Sequence, residues 1–388
     1  MENLTVSTAE MPKIREVAEE VRDLVLANLA LIGETPAPTF AEDPRGRVLL
    51  ERFAAAGVQN TSMDRLGNVA GMIPGTDGRQ TLLVTSNLDT IVEDLLDQTI
   101  ELQSDRVIGP FVGDNSLALA ALSVLPTLLE RLQLNFKSNL VLLGSVRALK
   151  RGNVEGLRTF LAESGLSISG GITLESVQLG RLNYTCMGML RGEITCRLPE
   201  TFDWARYGAA GTIMPMSDVI QRIGRIPVPG RPSSNVILGQ IEGGITFNNI
   251  ARETRLRFEV RSESKEIIRQ IREQIEDIAE DVAGQSGLKV TFDVVAEREP
   301  GGIDISHPMV RHARNVIGSL GLVPQLYATT TVLSALRDAK IPAITIGMAV
   351  GERKDELAEI DESISLASIP VGLAQLVGIL QAVDGGQA

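Results

Sequence analysis

Histidine, the side chain most often used for acid–base catalysis and zinc binding, is almost absent from this sequence. Only two occur among 388 residues, His307 and His312. They lack the i, i+4 separation of a helical zinc pair, so we interpret both as structural or surface residues. The low histidine count therefore sharply limits metal binding and acid–base catalysis.

Other nucleophiles are present without an evident base. The two cysteines, Cys186 and Cys196, are too few for a disulfide framework or a cysteine-rich zinc site and are interpreted as buried thiols. Ser145, Cys186 and threonines 329–331 are candidate nucleophiles, but each would need a neighbouring base. Lys150 or a carboxylate could serve, and no histidine is placed for the task.

Length and charge limit the classes of function. A chain of 388 residues with 44% hydrophobic residues predicts two domains with sizeable cores. The net charge of −12 argues against nucleic acid as a partner. No signal peptide is recognised, and no apolar run is expected to approach the roughly 18 residues of a membrane span. We expect a cytoplasmic protein that binds neither nucleic acid nor membrane.

Alternating helices and strands in the outer parts of the chain are typical of an α/β sheet. A first helix is predicted near Pro12, and residues 81–85 and 139–144 have the apolar pattern of strands covered on both faces. The same pattern resumes with a strand at 343–346 and a final helix after Pro370. Ligands of such sheets bind at the carboxyl ends of the strands.

The pattern between residues 184 and 296 is different. Its order of strand, helix, two strands, helix and strand is ferredoxin-like. In the strand at 254–261, apolar and charged residues alternate, which predicts a sheet covered on one face only. The predicted division is an α/β domain in two parts, 1–183 and 297–388, interrupted by a smaller domain, 184–296.

Several short segments, in their order and spacing, resemble the M20 peptidases, which are two-domain zinc amidohydrolases. These segments are Asp64-Arg-Leu-Gly-Asn68, Leu83 to Thr90, Gly113-Asp114-Asn115, Gly243-Gly244 with Asn248, Arg261-Ser262 and Ile341-Pro342-Ala343. The similarity spans nearly the whole sequence. It implies a peptidase-like α/β domain, an inserted ferredoxin-like lid domain, and a homodimer formed through that lid.

The resemblance also implies which residues would hold metal. In the M20 family two zinc ions share a bridging aspartate, and a glutamate acts as the general base on the bridging water. Asp114 matches the bridging carboxylate, and Glu175 matches an acidic ligand. A ligand histidine is replaced by Asn87, although the aspartate that would orient it, Asp89, remains.

Most of the remaining catalytic positions carry residues that cannot do the original chemistry. The general-base position is Ala148, and the neighbouring ligand position is Leu149. The C-terminal ligand histidine aligns near Ala358, and the histidine that the lid would contribute to the partner's site aligns with Phe202. We therefore predict no zinc and assign no catalytic residue.

The metal-ligand positions that survive are interpreted as vestigial and are expected to hold no metal. Asp114, Glu175 and the Asn87 carbonyl would form an all-oxygen set, which suits a single Mg²⁺, Mn²⁺ or Ca²⁺ better than zinc. Otherwise these polar groups bond to each other, to backbone or to water. The acidic stretch Glu352–Glu362 could supply substitute ligands, but its irregular spacing and basic residues indicate a solvated loop.

The substrate-binding side offers three candidates. Asn248 follows a glycine pair at the family's spacing, and the resemblance implies that it approaches the substrate. Arg261 could bind a ligand carboxylate, or it could balance Glu259 or Glu263 on the outer face of its strand. Asn87 is the third candidate.

The leading hypothesis is a non-hydrolytic pseudo-enzyme that binds a small ligand or a protein partner. One alternative is an enzyme that reuses the cleft for metal-independent chemistry, such as acyl transfer or a biosynthetic step, with neighbouring carboxylates as acid and base. Another is a hydrolase of peptide or N-acyl amino acid bonds that uses one oxygen-ligated divalent cation.

Overall fold

The computed structural model describes residues 10–91, 97–201, 211–353 and 361–385. The chain forms two compact units. The smaller unit is Cys186–Gly301, and the larger unit combines Met1–Thr185 with Gly302–Ala388.

The helices of the described residues are α1 Met11–Glu20, α2 Arg22–Gly33, α3 Asp43–Ala55, α4 Leu117–Arg131, α5 Glu155–Glu163, α6 Ile213–Ile223, α7 Lys265–Ser286, α8 Pro308–Ser319, α9 Leu333–Asp338 and α10 Ile369–Gly385. The strands are β1 Gln59–Met63, β2 Val69–Ile73, β3 Thr81–Asn87, β4 Glu101–Leu102, β5 Arg106–Pro110, β6 Asn139–Ser145, β7 Gly170–Val177, β8 Leu182–Asn183, β9 Thr185–Cys186, β10 Gly188–Arg197, β11 Ser234–Gly243, β12 Glu253–Ser262, β13 Lys289–Arg298, β14 Gly301–Gly302, β15 Ala343–Ala349, β16 Gly351–Glu352 and β17 Asp361–Ser365.

A seven-stranded sheet in the order β1-β2-β6-β3-β7-β15-β8 organises the larger unit. Neighbouring strands from β6 to β15 are parallel, so the carboxyl ends of β6, β3, β7 and β15 lie at one edge. Every residue of β3 and β15 is buried, as expected for strands covered on both faces. The predicted α/β sheet is confirmed, and these four strand ends form the edge at which ligands of such sheets bind.

Two apolar stretches are longer than expected, since no apolar run was predicted to approach the length of a membrane span. Val112–Arg131 and Leu366–Gly385 are each 20 residues long and reach mean hydropathies of 1.4 and 1.8, enough by length and composition to cross a membrane. Most of their residues are buried inside the larger unit. The first stretch is also interrupted at Asp114, whose φ of −147° and ψ of 82° are not helical. Both are therefore core segments of this unit.

The smaller unit is an antiparallel sheet with two helices. Its strands lie in the order β11-β12-β10-β13, and the chain order β10-α6-β11-β12-α7-β13 confirms the ferredoxin-like prediction. Along β12, Leu256, Phe258 and Val260 are buried, whereas the charged residues between them are partly exposed. The buried side chains pack with residues of α7 such as Ile271 and Ile275 in one core cluster. The opposite face of the sheet is charged.

Candidate functional site

Three of the predicted site residues lie together at the carboxyl edge of the large sheet. Asn87 ends β3, Glu175 lies near the end of β7, and Asp114 lies in the irregular turn Val112–Ser116 that precedes α4. The Asn87 side-chain oxygen accepts a hydrogen bond of 2.8 Å from the amide of Asn115. Asn115 in turn accepts 2.9 Å from the backbone N–H of Ser176, so the turn is joined to both strands.

The two carboxylates at this edge are each paired with an arginine. Arg353, which directly follows β16, places its Nη2 atom 2.6 Å from Oδ2 of Asp114. Arg181 lies 3.8 Å from the carboxylate of Glu175. The side chains of Asp114 and Glu175 are only 6% and 12% exposed, so these charges need a partner within the protein. Guanidinium groups supply that partner.

The charge of Glu175 is poorly solvated. Burial raises its pKa above the usual 4.5, and the nearby Asp114 carboxylate adds to the increase, whereas Arg181 and Arg353 oppose it. Asp114, Arg181 and Arg353 thus each act electrostatically on Glu175. We call Asp114, Glu175, Arg181 and Arg353 the charge cluster.

The charge cluster does not suit the dinuclear zinc centre that the resemblance implies. Among the described residues, no group of three or more His, Cys, Asp or Glu side chains could hold a metal ion. Asp114 and Glu175 remain as donors, but a divalent cation there would also lie near two guanidinium groups and be repelled by them. Zinc sites in proteins favour imidazole nitrogen and thiolate sulfur, and the charge cluster offers only carboxylate oxygens.

The backbone that would carry the general base is nevertheless firmly held. Buried side chains accept hydrogen bonds from three backbone N–H groups of the segment after β6. These bonds join Val146 to Asn68 at 3.0 Å, Arg147 to Glu42 at 2.8 Å, and Leu149 to Asp89 at 2.8 Å. Ala148 is buried within this segment. At the position that the resemblance matches to the general base, this well-held segment carries only the methyl group of Ala148.

The same segment is conformationally strained. Arg147, Lys150, Asn153 and Val154 have φ values between 46° and 55°, in the left-handed region that side chains other than glycine rarely adopt. Valine is particularly disfavoured there because it is branched at Cβ. Such strain persists only where surrounding contacts enforce it.

A buried arginine completes the frame around Asp89. Arg45 is fully buried and donates to the carbonyl oxygens of Thr35, Leu88 and Gly33. Burial lowers the pKa of Arg45 to about 10, although attraction to Asp89 opposes the shift. Burial likewise raises the pKa of Asp89, and hydrogen bonds from Leu149 and Thr39 counteract that effect.

The expectation of a solvated loop over Glu352–Glu362 was wrong at its second end, whereas Glu352 and Arg353 at its first end are exposed. Arg353 binds Asp114, and Glu362 is a buried residue of β17 that accepts 2.7 Å from the backbone N–H of Gly113. Residues 354–360 lie outside the described part of the chain. The histidine-equivalent positions Ala358 and Phe202 also lie outside it.

Sequence reasoning missed Glu42, Arg45, Arg181 and Arg353. The signal for Arg353 was present as a basic residue within an acidic stretch, but composition cannot show which carboxylate it meets.

The two predicted ligand-binding residues of the smaller unit are in different environments. Asn248 is exposed between β11 and β12 and lines a cavity of about 660 Å³ together with Gly243 and Gly244. Arg261 donates to Glu259, which also pairs with Arg191. Arg261 therefore belongs to the charged face of the sheet. This agrees with the structural alternative, in which Arg261 balances Glu259.

The histidines and cysteines have structural positions. His307 precedes α8, and its Nδ1 atom accepts 3.2 Å from the backbone N–H of Met309, which caps the helix. Cys186 and Cys196 are buried and form no disulfide. These findings confirm the interpretation of the cysteines as buried thiols and of His307 as a structural residue.

Comparison with known proteins shows which fold this architecture shares. Residues 205–286 match the family model of the M20 peptidase dimerisation domain. No curated protein matches the sequence. Among solved structures, the dipeptidase Dug1p from Saccharomyces cerevisiae is 11% identical with a TM-score of 0.78, covering 97% of this chain and 99% of that chain.

Two bacterial peptidases give the same result. Aminopeptidase PepT from Bacillus cereus is 17% identical with a TM-score of 0.69, covering 93% of this chain and 98% of that one. YXEP from Bacillus subtilis, a dinuclear metal-binding M20 peptidase, is 14% identical with a TM-score of 0.65, covering 94% and 98%. The chain therefore has the fold of the M20 peptidases and contains their dimerisation domain.

Proposed function

We propose that this protein is a non-hydrolytic pseudo-enzyme with the M20 peptidase fold, which binds a small ligand or a protein partner. The observation that carries the proposal is the ion pair between Arg353 and Asp114, with 2.6 Å between the atoms. Asp114 is the residue matched to the bridging zinc ligand, and its charge is compensated by a side chain.

The loss of the general base supports the same proposal. Metal-assisted hydrolysis needs a cation that lowers the pKa of bound water and a group that accepts its proton. At the base position, Ala148 has no titratable atom, and the neighbouring Leu149 has none either. The hydrogen bonds around this segment preserve its position without restoring its chemistry.

The absence of a resident metal is part of the proposal. YXEP is a dinuclear metal-binding peptidase, so the fold itself is compatible with metals. In this chain a divalent cation at Asp114 would have to displace Arg353 and tolerate Arg181. We therefore propose that neither zinc nor a single oxygen-ligated cation is required for function.

A homodimer in the cytoplasm is the proposed working form. The dimerisation-domain match at 205–286 supports association through the smaller unit. Its edge strand β11 exposes Ile237, Leu238 and Ile241, which are 38%, 39% and 59% exposed. An unpaired edge strand with apolar side chains favours association with another chain.

Hydrolysis assays test the proposed function. The purified protein is incubated with dipeptides and N-acyl amino acids in the presence of Zn²⁺, Mn²⁺ or chelator. No metal-dependent turnover is expected under any condition. Turnover that appears with metal and disappears with chelator would refute the proposal.

A further inference from the structure

The amino end of β15 borders a pocket of the larger unit that the proposed function does not use. Its cavity measures about 270 Å³. Most of the wall is apolar and is formed by Ile303, Leu333, Ile341, Pro342 and Ala343. Small-molecule sites in proteins are typically concave and largely apolar, with a few polar groups that orient the ligand. The shape and the wall of this pocket therefore suit a small molecule.

The pocket is separate from the charge cluster. β15 begins at Ala343, beside the pocket, and runs parallel to β7. In this pairing Gly347 lies opposite Glu175. A strand rises about 3.3 Å per residue, so the four steps from Ala343 to Gly347 span about 13 Å. A ligand in the pocket would therefore lie apart from Glu175, toward the opposite end of the sheet.

Backbone hydrogen bonds hold the wall of the pocket in place. The N–H of Ile341 donates 2.9 Å to a carbonyl oxygen of α9, and the carbonyl oxygen of Pro342 accepts 2.9 Å from the N–H of Gly171. In the other bordering segment, the N–H of Ile303 donates 3.0 Å to the carbonyl oxygen of Tyr184. The pocket is thus formed before any ligand binds, so binding would order little of the chain.

Two basic residues border the pocket, and their surroundings differ. Arg337 pairs with Asp338, with 2.6 Å between Nη2 and Oδ1, and Asp338 also pairs with Arg158 at 3.0 Å. Lys340 is exposed, and within the described part of the chain no carboxylate forms an ion pair with it. The Lys340 ammonium is therefore the positive charge that a ligand in the pocket can meet.

Capping of α9 does not explain why a lysine occupies this position. The φ of Lys340 is 59°, in the left-handed region that favours glycine at the end of a helix. The carbonyl oxygens of Ala335, Leu336 and Arg337 already accept from the backbone N–H groups of residues 339–341. The helix has only six residues, so its dipole gains little from a basic side chain. The lysine is thus kept at a strained position for which glycine would be the better choice.

From the cavity, its apolar wall and the Lys340 ammonium, we infer that this pocket binds a small carboxylate with an aliphatic tail. The tail fills the cavity against Ile303, Leu333 and Ile341, and the carboxylate pairs with Lys340 at the exposed border. A cationic ligand would be repelled by Lys340, and a neutral ligand would gain no ion pair. This site goes beyond the proposed function and does not depend on whether the cleft is hydrolytic.

Calorimetric titration of the full chain with hexanoate tests this inference. The wild-type protein is expected to bind hexanoate at millimolar concentration. Affinity should rise roughly fourfold for each methylene added from butyrate to hexanoate, because each methylene leaves water for the apolar cavity. Hexanol has the tail without the charge, and acetate has the charge without the tail. Both should bind at least tenfold more weakly than hexanoate.

Variants of Lys340 locate the site. Lys340→Gln should weaken hexanoate binding at least tenfold and leave hexanol binding unchanged. Lys340→Glu reverses the charge, so this variant should exclude hexanoate and bind hexylammonium instead. Lys13→Gln, at an exposed position of α1, is the matched control and should resemble the wild type. Circular dichroism checks that each variant is folded, which is expected because both lysines are exposed.

Three results would overturn the inference. These are no hexanoate binding by the wild-type protein at millimolar concentration, hexanoate binding that Lys340→Gln leaves unchanged, and equal affinities for hexanoate and hexanol. The proposed function fails separately, because chelator-sensitive peptide hydrolysis would refute it and would leave the hexanoate titrations unaffected.

Discussion

Asp89 is a buried carboxylate whose charge is balanced mainly by hydrogen bonds. Its oxygens accept from Thr39 at 3.0 Å, from the backbone N–H of Leu149 at 2.8 Å and from Asn87 at 3.3 Å. Every one of these partners is a donor. Asp89 therefore joins Asn87 to the segment that contains Leu149, and an amide could not take its place without meeting a donor.

Asp89→Asn is expected to destabilise the protein by about 1–3 kcal/mol, because the new NH₂ group must face an N–H or O–H donor. Urea unfolding followed by circular dichroism measures this change. Asp105→Asn, at an exposed site, is the control and should have no measurable effect. An Asp89→Asn protein as stable as the wild type would show that these hydrogen bonds contribute little.

Glu175 gives the protein a predictable dependence on pH. The pKa of Glu175 in the folded state is raised above the usual 4.5. The protonated carboxyl group therefore makes its full favourable contribution to the free energy of unfolding below pH 4.5. The contribution is lost as the pH rises through the folded-state pKa. Glu175→Gln cannot ionise, so its melting temperature relative to the wild type should increase from about pH 4 to about pH 7. Parallel melting curves across this range would contradict the raised pKa.

At the scale of elements, the close approach of α10 to β15 positions the strand that leads to Arg353. A Cβ atom at Gly372 would lie 1.6 Å from the backbone oxygen of Met348. Because the contacted oxygen belongs to the backbone of a buried strand, it cannot move aside cheaply. The helix and strand can be this close only with glycine at this position.

Gly372→Ala is expected to destabilise the larger unit by about 1–3 kcal/mol or to prevent folding, through overpacking. Gly284→Ala is the matched helical control, since a Cβ atom there would meet no other atom within 4 Å. That substitution should stabilise α7 by about 0.5–1 kcal/mol, because alanine favours helix over glycine. Thermal unfolding distinguishes the two, and equal effects would contradict the packing account.

The helices and strands could be predicted from the sequence, whereas the charge cluster could not. Burial leaves a local pattern, such as the alternation of Leu256, Phe258 and Val260, and that pattern predicted the correct sheet face. The residue at the position matched to the base, Ala148, could also be read from the sequence alone. The pairing of Arg353 with Asp114 depends on where two distant segments meet at the sheet edge, and no local periodicity encodes that.

At the scale of the whole molecule, the proposed homodimer requires a surface of the smaller unit. Ile241→Glu introduces a charge on the exposed edge strand β11 and is expected to convert dimers to monomers. Ile305→Glu, at a site 44% exposed in the larger unit, is the control and should leave the dimer intact. Light scattering coupled to size-exclusion chromatography measures the mass. A wild-type monomer at micromolar concentration would contradict the proposed dimer.

The central claim concerns metal at the positions that the resemblance matches to the M20 zinc centre. Because guanidinium groups neutralise Asp114 and Glu175, the wild-type protein should have no high-affinity site for divalent cations. A zinc titration of the metal-stripped protein, followed by elemental analysis after desalting, measures this most directly. The account predicts well below one zinc ion per chain at this centre. One or two zinc ions per chain, lost on Asp114→Ala substitution, would contradict it.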